Sequence, residues 1–126
     1  MRILIVDDHE AVRAGVRAIL QARPGIEICG EAANGREALE KASALKPDLI
    51  ILDITMPIVD GFTAARQISK LLPGIAILLL SMHESPNIVN VAKSSGARGY
   101  VAKSEGMSVL LKAVDAMAHH QVFFPN

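Results

Sequence analysis

The chain has 126 residues, 51% of them hydrophobic, with 13 Lys and Arg offset by 13 Asp and Glu. That is one domain of ordinary size with enough apolar material for a full core, and its zero net charge argues against a chain whose main task is gripping nucleic acid. The single cysteine, Cys29, excludes an internal disulfide, and no apolar stretch approaches the roughly 18 residues of a membrane span.

The N-terminus runs straight into a strand rather than a signal peptide, so the expectation is a soluble, cytoplasmic protein with no membrane partner. Ile3-Leu4-Ile5-Val6 is a short β-branched run ending in Asp7-Asp8. Val12, Val16, Ile19 and Leu20 then recur at helical spacing, with Arg13 and Arg17 on another face, until Pro24-Gly25 stops the helix. Ile26-Glu27-Ile28-Cys29-Gly30 alternates as a half-exposed or edge strand does, with Cys29 as a small buried apolar residue on it. Asn34 is an N-cap with Glu37 three residues on, and Ala38, Leu39, Ala42 and Leu45 share one face of the second helix.

Pro47-Asp48 ends that helix and leads into Leu49-Ile50-Ile51-Leu52-Asp53. A continuous apolar run of this length reads as a central strand buried on both faces. Asp60-Gly61 opens a third helix through Phe62, Ala65, Ile68 and Leu72, and Pro73-Gly74 stops it. A fourth strand, Ile75 to Leu80, ends in Ser81. A weaker helix follows around Ile88, Val91 and Ala92, with Glu84, Ser85 and Asn87 as loop and cap residues before it. Gly99-Tyr100-Val101-Ala102 is a short fifth strand followed by Lys103, and the last helix carries Val109, Leu110, Ala113, Val114 and Met117. Five β-α units predict an α/β fold: a doubly wound five-stranded parallel sheet of order 2-1-3-4-5 with helices on both faces, flavodoxin-like.

In a parallel sheet every strand ends on the same side. Asp7-Asp8, Asp53, Ser81 and Lys103 are therefore expected at one edge, while the second strand ends in Gly30-Glu31-Ala32 and contributes no evident group. Three clustered carboxylates repel one another unless a cation or proton intervenes, and a hard divalent ion such as Mg²⁺ is the economical solution. Asp8 and Asp53 are the expected direct ligands, with Asp7 direct or through water and the Thr55 carbonyl supplying another oxygen. Lys103 suits a phosphate oxygen, and the Ser81 hydroxyl can donate to another. The set reads as an electrostatic clamp for phosphoryl transfer onto Asp53.

These features, Ile3-Leu4-Ile5-Val6-Asp7-Asp8, Asp53-x-x-Met56-Pro57-x-x-Asp60-Gly61, Ser81 after an apolar strand and Gly99-Tyr100-Val101-x-Lys103, resemble the receiver domain of bacterial two-component response regulators. The resemblance covers essentially all of residues 1–126. Asp7-Asp8-His9, Leu80-Ser81-Met82-His83 and Gly96-Ala97-x-Gly99-Tyr100 look most like the subfamily with a C-terminal LuxR-type helix-turn-helix output domain. The resemblance implies that Asp53 takes a phosphoryl group from a phosphohistidine on a sensor histidine kinase, with Mg²⁺ or Mn²⁺. Asp7 and Asp8 match the acidic metal pair, Ser81 the switch hydroxyl, Lys103 the phosphate-contacting lysine, and Tyr100 the switch aromatic that turns inward. The face of the fourth helix, fifth strand and fifth helix is expected to report the change, by pairing receivers into a homodimer. The chain is expected to act catalytically only on itself, and to control transcription through DNA bound by a domain outside these residues.

Some positions depart from the pattern. Met82 stands where receivers often have a very small residue, and it narrows the approach to Asp53. His83 lies where a side chain can reach an attacking water, and with Met82 and Thr55 it forms a set of rate-tuning positions. Ser104 follows Lys103 where many receivers carry a cis proline, and a non-proline cis bond is costly. Nothing basic or helix-turn-helix-like occurs through Phe123-Phe124-Pro125-Asn126, which reads as the start of a linker, so the expectation is a receiver excised from a longer protein, with a stand-alone receiver acting by protein contacts as the alternative. A phosphatase of the haloacid dehalogenase type would need a second Asp where Thr55 stands. A flavin or nucleotide module would need a Gly- or Ser-rich loop where Asp7-Asp8-His9-Glu10 stands.

Overall fold

A computed structural model describes residues 1–82 and 86–125. His83, Glu84 and Ser85 lie outside the described residues, and with them the rate-tuning reading of His83. The strands are β1 (Arg2–Val6), β2 (Glu27–Ala32), β3 (Leu49–Asp53), β4 (Ala76–Ser81) and β5 (Gly99–Ala102). They alternate with helices α1 (Glu10–Gln21), α2 (Gly35–Leu45), α3 (Gly61–Leu71), α4 (Pro86–Ser94) and α5 (Met107–Ala118). All strand pairs are parallel and the order is β2-β1-β3-β4-β5, as expected from the alternation of elements.

Alternate strand residues point to opposite faces, so the central strands feed two cores. Leu4, Val6, Ile50, Leu52, Ile77, Leu79 and Tyr100 pack with Ala38 and Ala42 of α2, Ala64, Ala65 and Ile68 of α3, and Ala92 of α4. Ile3, Ile5, Leu49, Ile51, Leu78, Leu80 and Val101 pack on the other side with Val16 and Leu20 of α1 and with Leu110, Ala113, Val114 and Met117 of α5. Each such Ile or Leu contributes about 1.5–3 kcal/mol by leaving water. That burial makes the sheet a rigid platform for the residues at its edge.

Two helix starts behave as their sequence predicts. Asn34 accepts the Glu37 N–H at 2.9 Å, and the Glu37 carboxylate reaches back to Asn34 and the Ala33 N–H, a reciprocal cap. Asp60 accepts the Thr63 N–H at 2.9 Å and starts α3.

Other details differ. β2 extends to Ala32, because its register skips a residue opposite Ile3 and Leu4 and so resumes pairing beyond Gly30. Cys29 sits at that irregularity, half-buried, with its thiol toward the Ile3 carbonyl at 3.5 Å. On α4 the inward residues are Ile88, Val89 and Ala92, whereas Val91 is exposed and Asn87 belongs to the first turn. Leu72 follows the end of α3, and its N–H still bonds to the Ile68 carbonyl. The C-terminal segment is more than a linker start. The Phe123 N–H donates to the Arg98 carbonyl at 2.9 Å, and the Tyr100 N–H donates to the Phe123 carbonyl at 2.8 Å, so this segment covers the outer edge of β5. Among the described residues no peptide bond is cis and no helix is long and apolar enough to cross a membrane.

Candidate functional site

Parallel pairing brings the carboxyl ends of β1, β3, β4 and β5 to one edge. Asp7 follows β1 and Asp53 closes β3; both are almost wholly buried. Asp53 pairs in register with Leu80, one residue before Ser81, and Ser81 pairs with Ala102, one residue before Lys103. Ser81 is buried as well.

Lys103 joins the two buried carboxylates. Its Nζ donates to Asp7 Oδ2 at 2.9 Å and stands 3.3 Å from Asp53 Oδ1. Burial pushes the Asp53 carboxyl above its usual range and the nearby Asp7 charge adds to this, while Lys103 and the Thr55 backbone N–H pull partly back. Burial alone would lower the Lys103 ammonium. Its hydrogen bond to Asp7 and the charges of Asp53 and Asp7 outweigh that, so it is held above its ordinary value. The edge is thus a fixed pair of anions around one cation, with Asp53 as the member that gains most from further positive charge.

Asp8 is exposed at the mouth. Its Oδ1 lies 3.0 Å from His9 Nδ1, and that ring nitrogen lies 3.3 Å from Asp7 Oδ1. Ligand atoms of Asp7, Asp8 and His9 all fall within 4.8 Å of one another. A donor set dominated by carboxylate oxygen suits a hard divalent cation such as Mg²⁺ or Mn²⁺. Asp53 connects to this group through Lys103.

The loop after Asp53 is set by close backbone approach. A Cβ at Gly61 would collide with the Asp53 carbonyl oxygen and Ile54 Cα, and the Gly61 N–H donates to the Ile54 carbonyl at 2.8 Å. The start of α3 therefore abuts the backbone of Asp53. Thr55 and Met82 are exposed on the rim, Met82 by 67%. Tyr100 is 1% exposed, its ring inside the α2-α3-α4 core.

Sequence reasoning found Asp7, Asp8, Asp53, Ser81, Tyr100 and Lys103 but missed two contributors. His9 stands at the N-cap position of α1 and donates its backbone N–H to Asp7 Oδ1 at 2.9 Å. Glu31, on the strand read as contributing no group, holds Arg13 at 3.2 Å and Arg17 through its other oxygen. Arg13 and Arg17 were legible as a polar helix face, but the partner on β2 was not, since only the sheet order brings them together.

Residues 3–115 match the family described as response regulator receiver domain. VraR of Staphylococcus saprophyticus is 36% identical over 124 residues, which is 98% of this chain and 59% of that protein. The chain spans little more than half the length of the curated relatives it matches, such as LnrK of Bacillus subtilis, of which it covers 52%. A LuxR-family two-component response regulator from Aurantimonas sp. SI85-9A1 superposes with a TM-score of 0.93 at 34% identity, covering 97% of this chain and 87% of that one. The isolated REC domain of RcsB from Salmonella enterica serovar Typhimurium, solved in the presence of phosphomimetic BeF3−, gives 0.92 at 27% identity, covering 100% and 94%.

Proposed function

The chain belongs to the response regulator receiver domain family, and from that premise we propose that Asp53 accepts a phosphoryl group from a phosphohistidine on a sensor histidine kinase. The observation that carries this reading is the buried Asp53 carboxylate, held 3.3 Å from an ammonium that Asp7 fixes from the other side.

An ionised Asp53 oxygen attacks phosphorus. A P–O bond forms as the P–N bond breaks, and the imidazole nitrogen leaves with the bonding pair and takes a proton. Lys103 neutralises one phosphoryl oxygen, and the Ser81 hydroxyl donates to another. Asp8 and Asp53 with the Thr55 carbonyl would hold Mg²⁺ or Mn²⁺, with Asp7 direct or through water, and the ion supplies charge neutralisation and orientation of the phosphoryl oxygens. Chemistry beyond this is limited to slow hydrolysis of the same acyl phosphate. Met82, Thr55 and His83 tune the two rates.

The new charge at Asp53 draws Ser81 inward and favours the buried position of Tyr100, which is a two-state element biased by local hydrogen bonds. The α4-β5-α5 face carries the change outward, and pairing of two receivers through it is the expected readout. Exposed Val91 on α4 supports that face as a contact surface. The output is control of transcription through a DNA-binding domain beyond these residues.

Intact mass after incubation with acetyl phosphate tests the acceptor. A single phosphoryl adduct that needs Mg²⁺ and is missing in Asp53→Asn is expected. No adduct beside a working receiver control would reduce the chain to a domain that acts by contacts alone.

A further inference from the structure

We propose that Arg13 is a positioning residue that fixes Asp7 by clamping its carbonyl oxygen to Glu31, and that this clamp sets the cation affinity of the site. The inference rests on the receiver reading above.

Asp7 lies one residue beyond the end of β1. Its N–H still bonds to the Ala32 carbonyl at 3.1 Å, but its carbonyl has left the strand ladder. Arg13 takes that acceptor, with Nη1 donating to Asp7 O at 2.5 Å. The same guanidinium donates through Nε to Glu31 Oε1 at 3.2 Å. Glu31 is itself fixed, because its other carboxylate oxygen takes Arg17 and its backbone carbonyl takes the Lys41 ammonium. The Arg13 side chain is only 16% exposed, so both bonds are made in a poorly hydrated place.

The consequence is that every polar atom of Asp7 is engaged, with the His9 ring nitrogen as a second neighbour of Oδ1 at 3.3 Å. The N–H has Ala32, the carbonyl has Arg13, Oδ1 has the His9 N–H, and Oδ2 has Lys103. A strand-end peptide held on one side only can rotate, and the carboxylate rotates with it. Arg13 removes that freedom from the backbone side. The guanidinium meets the two acceptors with separate N–H groups in a fixed planar fork, whereas a lysine would offer one freely rotating ammonium on a flexible stem.

A purely structural role for the pair would be to tie α1 to β2. Arg17 does that as well: it bonds to Glu31 from the same helix, and among the described residues no hydrogen bond or ion pair joins it to Asp7. The two arginines therefore share the tie and differ in the contact with Asp7. Comparing them separates positioning from stability.

The probe is Mg²⁺ alone, titrated calorimetrically into the whole chain, with acetyl phosphate labelling against Mg²⁺ concentration as a second readout. Arg13→Gln is expected to raise the Mg²⁺ Kd about tenfold, the lower end of the loss seen when a ligand's outer partner is removed. The Mg²⁺ needed for half-maximal labelling should rise equally, with the labelling rate at saturating Mg²⁺ within about twofold of the wild type, since the groups that touch phosphate remain. Arg17→Gln should lower the melting temperature but leave Kd unchanged. Glu31→Gln, which keeps the guanidinium, should weaken Mg²⁺ by a smaller factor, about threefold. A folded Arg13→Gln with wild-type Kd overturns the proposal, and so does an equal Kd change in Arg17→Gln. If Arg13→Gln does not fold, an unchanged Kd in Glu31→Gln overturns it. A wild type that binds Mg²⁺ yet takes no phosphoryl group would count against the receiver chemistry, while the calorimetric comparison would still decide the clamp.

Discussion

The Lys103 ammonium donates to Asp7 at 2.9 Å, joining residues 96 positions apart across the carboxyl edge of the sheet. The same nitrogen lies 3.3 Å from Asp53 Oδ1, so one cation serves two carboxylates whose side chains are almost fully buried. Replacing it by an apolar chain leaves two anions facing each other without compensation. Lys103→Met is expected to cost about 3 kcal/mol, the lower end for breaking a buried pair. That corresponds to roughly 10 °C in Tm for a domain of this size. Because Asp53 is half of the problem created, Asp53→Asn in the Lys103→Met background should recover much of the loss. Denaturant melts of the four proteins measure this coupling. Strictly additive changes would mean that Lys103 does not hold Asp53.

The pH dependence of stability follows from Asp53. Burial and the Asp7 charge raise its folded-state pKa above the ordinary carboxylate value. Proton binding therefore favours the fold: the contribution of Asp53 improves as pH falls through its raised folded value and is complete below the ordinary value of about 3.9. At neutral pH the ionised group is a net cost. Without divalent cations, Asp53→Asn should melt several degrees above the wild type at pH 7.5, and the gap should narrow as pH falls through the raised folded value of Asp53. Added Mg²⁺ should narrow it at pH 7.5 as well. Lys103 shifts in the stabilising sense, so its contribution is whole below about 10.4 and is lost only as pH rises through its higher folded value. A wild type more stable than Asp53→Asn at pH 7.5 without metal would contradict the assigned cause.

Why so much of this site was legible lies in the parallel sheet. Runs such as Ile3-Leu4-Ile5-Val6 and Leu49-Ile50-Ile51-Leu52 are buried on both faces, so hydrophobicity alone marks them as strands. Once strands and helices alternate, all carboxyl ends share an edge, and Asp7, Asp53, Ser81 and Lys103 converge without further information. What was not legible depends on pairing across the sheet. The role of Glu31 needs β2 beside β1 and a register skip that carries the strand to Ala32. The outward position of Val91 needs the placement of α4 against the sheet, because Ile88, Val91 and Ala92 share a face in the sequence yet of these three only Ile88 and Ala92 pack inward. The docking of Phe123 on β5 needs an exposed strand edge that no local pattern announces.

Two glycines predict opposite outcomes for one substitution. Gly61 begins α3 against the Asp53 backbone, and a Cβ there meets the Asp53 carbonyl and Ile54 Cα. Both obstacles are main chain, so neither can turn aside. Gly61→Ala should cost about 1–3 kcal/mol as overpacking and slow acetyl phosphate labelling by displacing the acceptor. Gly15 lies within α1, and a Cβ there meets nothing within 4 Å. Gly15→Ala should stabilise by about 0.5–1 kcal/mol through helix propensity, with labelling unchanged. Thermal melts and labelling rates of the two variants check both signs, and a tolerated Gly61→Ala would show that α3 can shift away from the acceptor.

Ile58 carries strain that a single substitution should release. It stands between Pro57 and Val59, the Val59 N–H donates to the Pro57 carbonyl at 2.8 Å to close a three-residue turn, and its φ is 70°. A positive φ at the centre of such a turn is rare, and a β-branched side chain makes it worse. The cost is on the order of 1–3 kcal/mol. The side chain does not repay this by burial, since Ile58 is 72% exposed. Yet the turn is held on both flanks: Gly61 abuts Asp53, and Val59 packs where Gly35 leaves no room for a Cβ. The backbone therefore imposes the conformation on Ile58. Glycine accepts positive φ freely but loses about 0.5–1 kcal/mol of unfolded-state entropy. Ile58→Gly should come out about 1 kcal/mol more stable, a rise of a few degrees in Tm. Ile58→Asn should fall between the two, because Asn tolerates this region better than a β-branched residue. Denaturant midpoints at constant slope measure the order Gly, Asn, Ile. The reverse order would mean that the turn at Ile58 is relaxed in solution and that the exposed isoleucine gains more from its neighbours than its backbone loses.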